Sequence, residues 1–439
     1  MKEVAFYTLG CKVSQYETEA IASLFEKEGY EVVHFDEKAD VYVINTCTVT
    51  GLSARKSRQM IRKAKSSNQD SIVAVIGCYA QTAPGEVESM PDVNLVMGTK
   101  ERNKIVEYVR EIEAGRKKLT VVGSIMNTRS FEELKIDEFK ERTRAFIKIQ
   151  DGCSQFCSYC IIPYARGPIR SRAEKDILDE VRKLSDSGFK EIVLTGIHIA
   201  SYGKDIGNTS LLDLIGKVHE VCTIERIRLG SLEPTTITHE FIETAKKLKK
   251  LCPHYHISLQ SGCDETLMRM NRKYSTGEFR NLVRLLRDNI NDVALTTDVM
   301  VGFPGESDEE FEKTYKFLEE ASFTKMHVFK YSPRKGTPAC SFGDQVAAGK
   351  KEERSKRLIK LSMENTLKFN GEFIGKNLPV LFEQDVKLRD GFIEGLTPNY
   401  IRVLCEGNAS SKGKILYVTL ISAEDDYLLG KITGGNGMQ

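Results

Sequence analysis

The 439-residue chain lacks several features that would assign it to a simple class. It has no large excess of charge of one sign, because 64 Lys and Arg face 62 Asp and Glu and leave a net charge of +2. This balance excludes a passive nucleic-acid coat, so any RNA-binding surface has to be a local patch. No apolar run of about 18 residues is present, which excludes a membrane-spanning segment. The sequence also contains no phosphate-binding loop and no nucleophilic triad.

The N-terminus lacks a small-residue cleavage site after its short apolar run, so it is interpreted as a strand rather than a signal peptide. A cytoplasmic location is expected. In that reducing compartment, eleven cysteines in a chain this long are better explained as metal ligands, catalytic thiols or core residues than as a disulfide framework.

The pattern of apolar runs predicts an α/β protein of about three domains. Alternating strands and helices over the first hundred residues indicate a parallel sheet, followed by a charged connector from about residue 110 to 142. Six strands and five helices after residue 145 indicate a partial (β/α)6 barrel, with functional residues on the loops after the strands. Short strands after residue 371 indicate a small antiparallel barrel. The expected domains are residues 1–112, 139–369 and 371–438.

The strongest local motif is a central triplet, Cys153, Cys157 and Cys160, in a loop directly after the first barrel strand. Three thiolates can bind three irons of a [4Fe-4S] cluster and leave the fourth iron open to a small molecule. The alternative is a zinc knuckle. Structural zinc normally takes four protein ligands, and no further His or Cys follows nearby.

A second, N-terminal triplet is spread along the chain. Cys11, Cys47 and Cys78 each follow a predicted strand of the first sheet. Parallel strands end at the same edge, so the three thiols are expected to converge and to hold a second [4Fe-4S] cluster. Taken singly, each would more often be a small buried core residue.

The central triplet, with Tyr159 before its last cysteine, resembles the motif of the radical S-adenosylmethionine (SAM) superfamily. That resemblance implies that SAM binds the open iron and is cleaved to a 5′-deoxyadenosyl radical. It also implies cofactor contacts near the ends of the barrel strands, although each such residue could instead belong to a turn or the core. The expected contacts are Tyr159, Thr195, Gly196, Ser231, Glu233, Ser258, Gln260, Asp298 and Gly302.

Both triplets together, with the segments LGCKVSQYETE, INTCTVT and IGCYAQ, resemble the methylthiotransferase family over nearly the whole chain. The family has a C-terminal TRAM domain, and Ser14 stands here where asparagine is more usual. The LGCK-x-x-QYETE and CIIPYARG patterns are most similar to enzymes that act on threonylcarbamoyladenosine in tRNA. The resemblance implies radical methylthiolation at carbon 2 of that adenine, at tRNA position 37. It further implies two [4Fe-4S] clusters, SAM, a sulfur source and an electron donor such as flavodoxin or ferredoxin.

Other functions stay open at this point. The same chemistry could act on isopentenyladenosine in tRNA or on an aspartate of a ribosomal protein. A different class is a non-catalytic iron-sulfur module that binds RNA or transfers electrons.

RNA contacts are expected on a basic helix that follows Cys47, although the alternative is a solvated helix face. Its basic residues are Arg55, Lys56, Arg58, Arg62, Lys63 and Lys65. Residues 371–439 carry seven basic and nine acidic residues, so RNA binding there would rely on Lys387, Arg389 and Arg402 with Phe392 and Tyr400. A later helix could add Lys350, Lys351, Arg354, Lys356, Arg357 and Lys360.

The remaining cysteines have no cluster spacing and are interpreted as core or incidental: Cys222, Cys252, Cys263, Cys340 and Cys405. Cys263 stays open because it lies near the expected mouth of the barrel, and His198 could line the same site.

Overall fold

The computed structural model describes residues 1–49, 51–136, 143–387 and 389–435. Three folded units follow one another along the chain, each with its own apolar cluster. Within the described residues, no helix is both long enough and apolar enough to cross a membrane.

The N-terminal unit is a wholly parallel six-stranded sheet, as the alternating pattern predicts. Its strands are β1 (Lys2–Thr8), β2 (Tyr30–Val33), β3 (Val41–Thr46), β4 (Ile72–Gly77), β5 (Leu95–Met97) and β6 (Leu119–Val121). They lie side by side in the order β2-β1-β3-β4-β5-β6. The central strand β3 is buried along its whole length, which explains its continuous apolar run.

Helices cover both faces of this sheet: α1 (Lys12–Lys27), α2 (Gly51–Ser67), α3 (Cys78–Thr82), α4 (Pro84–Glu88) and α5 (Ile105–Glu113). Alternate residues of each strand enter two separate apolar clusters. Val43 packs with α1 and α5, whereas Ile44 packs with α2, α3 and α4. The sheet continues to β6, beyond the boundary expected at residue 112, because the short β6 run inside the charged connector pairs with β5.

The central unit contains the six parallel strands that the sequence predicts, together with the short antiparallel β8. The strands are β7 (Arg144–Asp151), β8 (Arg170–Ser171), β9 (Glu191–Gly196), β10 (Arg226–Leu229), β11 (His254–His256), β12 (Ala294–Val301) and β13 (Lys325–Lys330). They form two sheets, β10-β9-β7-β8 and β11-β12-β13, joined by isolated bridges such as Ile227 to Leu251. The result is an open barrel.

The helices of the central unit lie mostly outside this barrel. They are α6 (Ile162–Arg166), α7 (Glu174–Asp186), α8 (Leu211–His219), α9 (His239–Lys247), α10 (Asp264–Arg269), α11 (Thr276–Asn289), α12 (Asp308–Ala321) and α13 (Ala348–Gly371). Ile147, Ile192 and Leu194 pack outward against the helices. The opposite faces of the same strands carry polar residues such as Lys148 and Glu191, both buried.

The C-terminal unit is a closed five-stranded barrel, β14-β15-β16-β18-β17 in spatial order. Its strands are β14 (Asn377–Asp385), β15 (Phe392–Leu396), β16 (Arg402–Glu406), β17 (Ile415–Ala423) and β18 (Leu428–Gly435). The expectation of an antiparallel barrel needs one correction, since closure pairs β16 with β18 in parallel. Closure of this kind is consistent with a TRAM domain.

The C-terminal barrel docks against the central unit through arginines of β10. Arg226 and Arg228 donate to the backbone oxygens of Leu396 and Pro398 at 2.9 and 3.0 Å. The Tyr400 ring stacks on His254, with 4.4 Å between ring centroids, and lies 4.7 Å from the Arg228 guanidinium. The Tyr400 ring, which the sequence predicts as an RNA contact, thus packs against the central unit.

Candidate active site

The three N-terminal cysteines lie at the C-terminal ends of the adjacent strands β1, β3 and β4. Cys11 precedes α1, Cys47 follows β3, and Cys78 begins α3. Cys47 and Cys78 are buried, and Cys11 is exposed. The thiols of Cys11 and Cys47 both raise the pKa of the Cys78 thiol, so the three groups lie close enough to interact. The strand ends thus bring the N-terminal triplet together at one edge of the sheet.

Two glycines allow the strand ends to approach this closely. Gly10 has a φ of +129°, and a Cβ there would lie 3.4 Å from Cβ of Cys47. Gly77 has a φ of +96°, and a Cβ there would lie 2.5 Å from Oδ1 of Asn45 and 2.8 Å from the Thr46 oxygen. A side chain at Gly77 would therefore shift the backbone at this position, which directly precedes Cys78.

The chemistry of the N-terminal triplet fits an iron-sulfur cluster. Burial raises the pKa of Cys78 to about 11, although Arg166 opposes this rise. The Cys78 thiol therefore loses its proton when a metal binds, because the ligating form is the thiolate. Among the described residues, no three His, Cys, Asp or Glu side chains are close enough to share one metal ion. Three thiolates are the donor set that can bind three irons of a [4Fe-4S] cluster.

The central triplet lies in the loop between β7 and α6. Gly152 has a φ of +76°, and a Cβ there would lie 1.9 Å from the Pro168 oxygen, so the loop can turn only at a glycine. The backbone NH of Cys153 donates to the Gly167 oxygen at 3.0 Å, and that of Cys160 donates to the Cys157 oxygen at 2.9 Å. These hydrogen bonds fix the conformation of the loop. Its three thiols are the same set of donors as in the N-terminal triplet, so they also fit a [4Fe-4S] cluster.

Burial also dominates the electrostatics of the central triplet. It raises the pKa of Cys153 to about 11 and that of Cys160 to about 12. Arg272 supplies a counter-charge, since its Nη1 donates to Sγ of Cys157 at 3.3 Å. Its Nη2 donates to a carboxylate oxygen of Glu233 at 2.6 Å, so Glu233 holds this arginine in place. The sequence predicts Glu233 as a cofactor contact. No local sequence pattern indicates that Glu233 also pairs with Arg272.

A cavity of about 240 Å³ is lined mainly by the central unit, and Val49 is the lining residue that the N-terminal unit contributes. Cys160 and Tyr159 of the central triplet's loop line it, together with Val49, two positions after Cys47. Gln260 and Asp298 line it as well, which brings three of the expected cofactor contacts together. The Ser332 hydroxyl, also at this wall, accepts the backbone NH of Gly51 at 3.3 Å and ties the central unit to the start of α2.

The other expected cofactor contacts are more dispersed. Thr195 is buried and Gly196 ends β9, where a Cβ would meet the Gln150 oxygen at 2.9 Å. Ser231 is exposed after β10. Ser258 offers its backbone oxygen to the hydroxyl of Tyr274 at 2.8 Å. Gly302 packs on Lys351 of α13, and its NH donates to Glu306 at 2.9 Å, so the structure explains it as a turn residue.

Comparison with known proteins places both triplets in recognised families. Residues 147–318 match the model of the radical SAM superfamily, and residues 3–98 match that of uncharacterized protein family UPF0004. A threonylcarbamoyladenosine tRNA methylthiotransferase of Bacillus subtilis is 43% identical over 98% of this chain and 96% of its own length. A tRNA-2-methylthio-N(6)-dimethylallyladenosine synthase of Pelotomaculum thermopropionicum is 34% identical over 98% and 97%.

The chain belongs to the radical SAM methylthiotransferase family. The solved structure of a radical SAM methyltransferase, TsrM from Kitasatospora setae, has a TM-score of 0.57 at 16% identity and covers 77% of both chains. That likeness concerns the fold. Because this methylthiotransferase belongs to the radical SAM superfamily, its cofactors include SAM and a [4Fe-4S] cluster.

The basic residues of α2 divide into paired and unpaired groups in this methylthiotransferase. Arg58 contacts Glu86 at 3.3 Å, Lys63 pairs with Asp36, and Lys65 donates to the Ser71 oxygen at 2.6 Å. The exposed Arg55, Lys56 and Arg62 have no ion-pair partner among the described residues. This second group forms the unpaired basic face of α2.

The basic residues near the C-terminus are mostly engaged. Arg402 pairs with Glu394 and Asp426, whereas Lys387 and Arg389 are exposed, with Arg389 over the Phe392 ring. On α13, Arg354 is buried against Glu306 and Asp308. Salt bridges also hold Lys350, Lys356, Arg357 and Lys360, and Lys351 lies over Tyr331. Arg354 thus serves packing, whereas Lys356 and Lys360 are 74% and 80% exposed, and a basic surface on α13 stays a prediction.

The cysteines outside the two triplets have ordinary surroundings. The Cys263 thiol donates to Glu265 at 2.9 Å, and Cys252 and Cys405 are buried in the units to which they belong. Cys222 and Cys340 are exposed. His198 is held by Ser201, with 2.6 Å between Nδ1 and the hydroxyl oxygen, and its Nε2 lies 3.8 Å from Glu233.

Sequence reasoning missed a buried ionic cluster between the N-terminal and central units. Arg166, six positions after Cys160, donates from Nε to Sγ of Cys78 at 3.2 Å and from Nη2 to Glu17 at 2.9 Å. Glu17 also accepts from Lys148 at 2.7 Å. Both Glu17 and Arg166 stand inside the quoted QYETE and PYARG motifs, which was the only available signal for them.

Proposed function

We propose that this methylthiotransferase acts on tRNA and attaches a methylthio group to carbon 2 of threonylcarbamoyladenosine at position 37, using SAM and two [4Fe-4S] clusters. The choice of substrate is supported by the relatives. Enzymes named for this nucleoside are 43%, 38% and 36% identical to the chain in Bacillus subtilis, Aquifex aeolicus and Thermotoga maritima. Relatives named for dimethylallyladenosine reach 34% to 36%.

The observation that carries the proposal is a cavity lined by both Cys160 of the central triplet and Val49, two positions after Cys47. A methylthiotransferase has to abstract a hydrogen atom and deliver sulfur at the same carbon, so both sites must reach one bound base. Cys160 and Val49 both contact the space of this cavity, so a base bound there is within reach of residues from both units. A volume of about 240 Å³ suits a flat base rather than a folded peptide.

The residues then take separate roles. When bound at Cys153, Cys157 and Cys160, a [4Fe-4S] cluster with SAM supplies a radical strong enough to remove an aromatic hydrogen atom. Gln260 and Asp298 orient the cofactor from the cavity wall, and Met300 and Tyr331 contribute apolar surface that limits access of water. Cys11, Cys47 and Cys78 would hold the second cluster, which would supply the sulfur for the methylthio group.

RNA contacts are proposed for the unpaired basic face of α2. This helix begins four positions after Cys47, so phosphates bound to it lie beside the base in the cavity. Lys387 and Arg389 on the C-terminal barrel extend the same interaction. An electron donor such as flavodoxin or ferredoxin and a source of sulfur complete the set of partners.

Anaerobic purification tests the enzymatic class. Two clusters require about eight irons per chain, together with SAM-dependent formation of 5′-deoxyadenosine. An iron-free or zinc-only protein that does not cleave SAM contradicts the proposal and favours a non-catalytic module. About four irons per chain contradict the two-cluster assignment alone.

Mass spectrometry of tRNA nucleosides from a deletion strain tests the substrate. We expect loss of the methylthio form of threonylcarbamoyladenosine, retention of the methylthio form of isopentenyladenosine, and restoration of the first by a plasmid copy. Loss of the second nucleoside instead would assign the enzyme to isopentenyladenosine. Retention of both, with loss of methylthiolation on a ribosomal protein, would assign it to the protein substrate.

A further inference from the structure

Arg166 reaches from the central unit into the N-terminal triplet. It ends α6, directly after the loop of the central triplet, and its side chain is completely buried. Its Nε donates to Sγ of Cys78 at 3.2 Å. The N-terminal triplet therefore has a hydrogen-bond donor that its own unit does not supply.

The orientation of Arg166 is fixed by a carboxylate of the N-terminal unit. Both terminal nitrogens of the guanidinium donate to the two oxygens of Glu17, which is fully buried in α1. Asp151, at the end of β7, lies 3.5 Å from Nη1. This fork leaves Nε with Sγ of Cys78 as its acceptor, so the contact is directional rather than incidental.

We propose that Arg166 is a positioning residue for the cluster of the N-terminal triplet, and that its hydrogen bond to the Cys78 thiolate raises the reduction potential of that cluster. An N–H donor to a ligating sulfur withdraws electron density and stabilises the more negative, reduced cluster. The inference rests on the proposed second cluster.

A consequence for the catalytic cycle follows from the position of Arg166 in the chain. The loop that carries the central triplet continues directly into α6, and α6 carries the donor for the other triplet. The electronic properties of the N-terminal site therefore depend on correct docking of the central unit. A cluster bound by the N-terminal unit alone would lack this hydrogen bond.

The test uses the full chain with Cys153, Cys157 and Cys160 all changed to alanine, so that any cluster signal comes from the N-terminal triplet. In this background we compare R166M with R172M. Arg166→Met leaves Glu17 paired with Arg102 and Lys148, at 2.7 Å each. Arg172 is a matched control, because it is also buried and paired with carboxylates, Glu133 and Glu180, but donates to no thiol of the described residues.

Redox titration followed by electron paramagnetic resonance is the first readout. We expect a lower midpoint potential in R166M than in the background, and an unchanged potential in R172M. Equal potentials in R166M and in the background overturn the proposal. A purely structural role would affect R166M and R172M alike, so the difference between them is diagnostic.

The second readout is pulsed electron paramagnetic resonance on protein that carries ¹⁵N-labelled arginine. If R166M does not fold, R166K is measured in its place. A coupling between the cluster and a guanidinium nitrogen is expected in the background and in R172M but not in R166K. Persistence of the coupling in R166K overturns the inference. If the background binds no iron, both this inference and the two-cluster proposal fail, whereas a bound cluster with an unchanged potential contradicts this inference alone.

Discussion

Replacing Glu17 with glutamine tests whether the ionic cluster between the first two units is essential for their docking. The carboxylate is 0% exposed and neutralises three buried cations, Arg102, Lys148 and Arg166. Removing one partner of a buried ion pair costs about 3–5 kcal/mol, because it leaves charge uncompensated in the interior. Arg102 keeps Glu132 at 2.6 Å and Lys148 keeps Asp151 at 2.6 Å, so we expect the lower end, about 3 kcal/mol.

Urea unfolding of the anaerobic holoprotein, followed by circular dichroism, measures this loss. Glu28→Gln, at the residue that follows α1, is the control. Glu28 and Arg110 are 46% and 53% exposed, and such pairs contribute at most about 1 kcal/mol. A loss for E17Q no larger than that for E28Q would refute the reasoning.

The pH dependence supplies a second check on Glu17. Burial alone would raise the pKa of Glu17, but Arg102, Arg166 and Lys148 outweigh it and hold the pKa well below its ordinary value of 4.5. A group with a lowered pKa stabilises the fold above the unfolded-state value and loses that contribution as the pH falls. The difference between the parent and E17Q should therefore be largest at neutral pH and shrink below about pH 4.5.

Three further predictions concern the cluster site, the RNA surface and the docked barrel. Gly77→Ala should lower the iron content by about half while SAM cleavage persists, because the added Cβ would lie 2.5 Å from Oδ1 of Asn45. An unchanged iron content would contradict the need for glycine at this position. Replacing Arg55 and Arg62 with alanine should weaken tRNA binding, measured by fluorescence anisotropy, and should reduce the slope of log Kd against log salt by about 0.9 per lost phosphate contact. Equal slopes would indicate that this face of α2 is solvated and does not bind RNA. Tyr400→Leu should speed proteolytic release of the C-terminal barrel, because it removes about 1–2 kcal/mol of stacking and cation–π interaction. An unchanged cleavage rate would contradict the docking role of Tyr400.

The convergence of the N-terminal triplet could be predicted because it depends only on strand order and direction. Apolar runs mark β1, β3 and β4, and parallel strands end at one edge of the sheet. Short β6 escaped prediction because three residues inside a charged segment carry no periodicity. The parallel pairing of β16 with β18 follows from barrel closure, which no local pattern encodes.

The second layer of the site could not be derived from spacing. Arg166 and Cys78 are 88 positions apart, and Arg272 and Cys157 are 115 apart, so their contacts arise only when the units pack. Each arginine is held by a carboxylate, the buried Glu17 in one case and the half-buried Glu233 in the other. A single sequence shows these residues as ordinary charges.

The division of labour between the two triplets is tested most directly by one anaerobic assay with tRNA, SAM and a reductant, in which 5′-deoxyadenosine and the methylthiolated nucleoside are measured in the same sample. Cys47→Ala should form 5′-deoxyadenosine without methylthiolation, and Cys153→Ala should form neither product. Cys222→Ala, an exposed cysteine outside both triplets, should form both. Methylthiolation of tRNA by Cys47→Ala would contradict the assignment of separate roles to the two triplets.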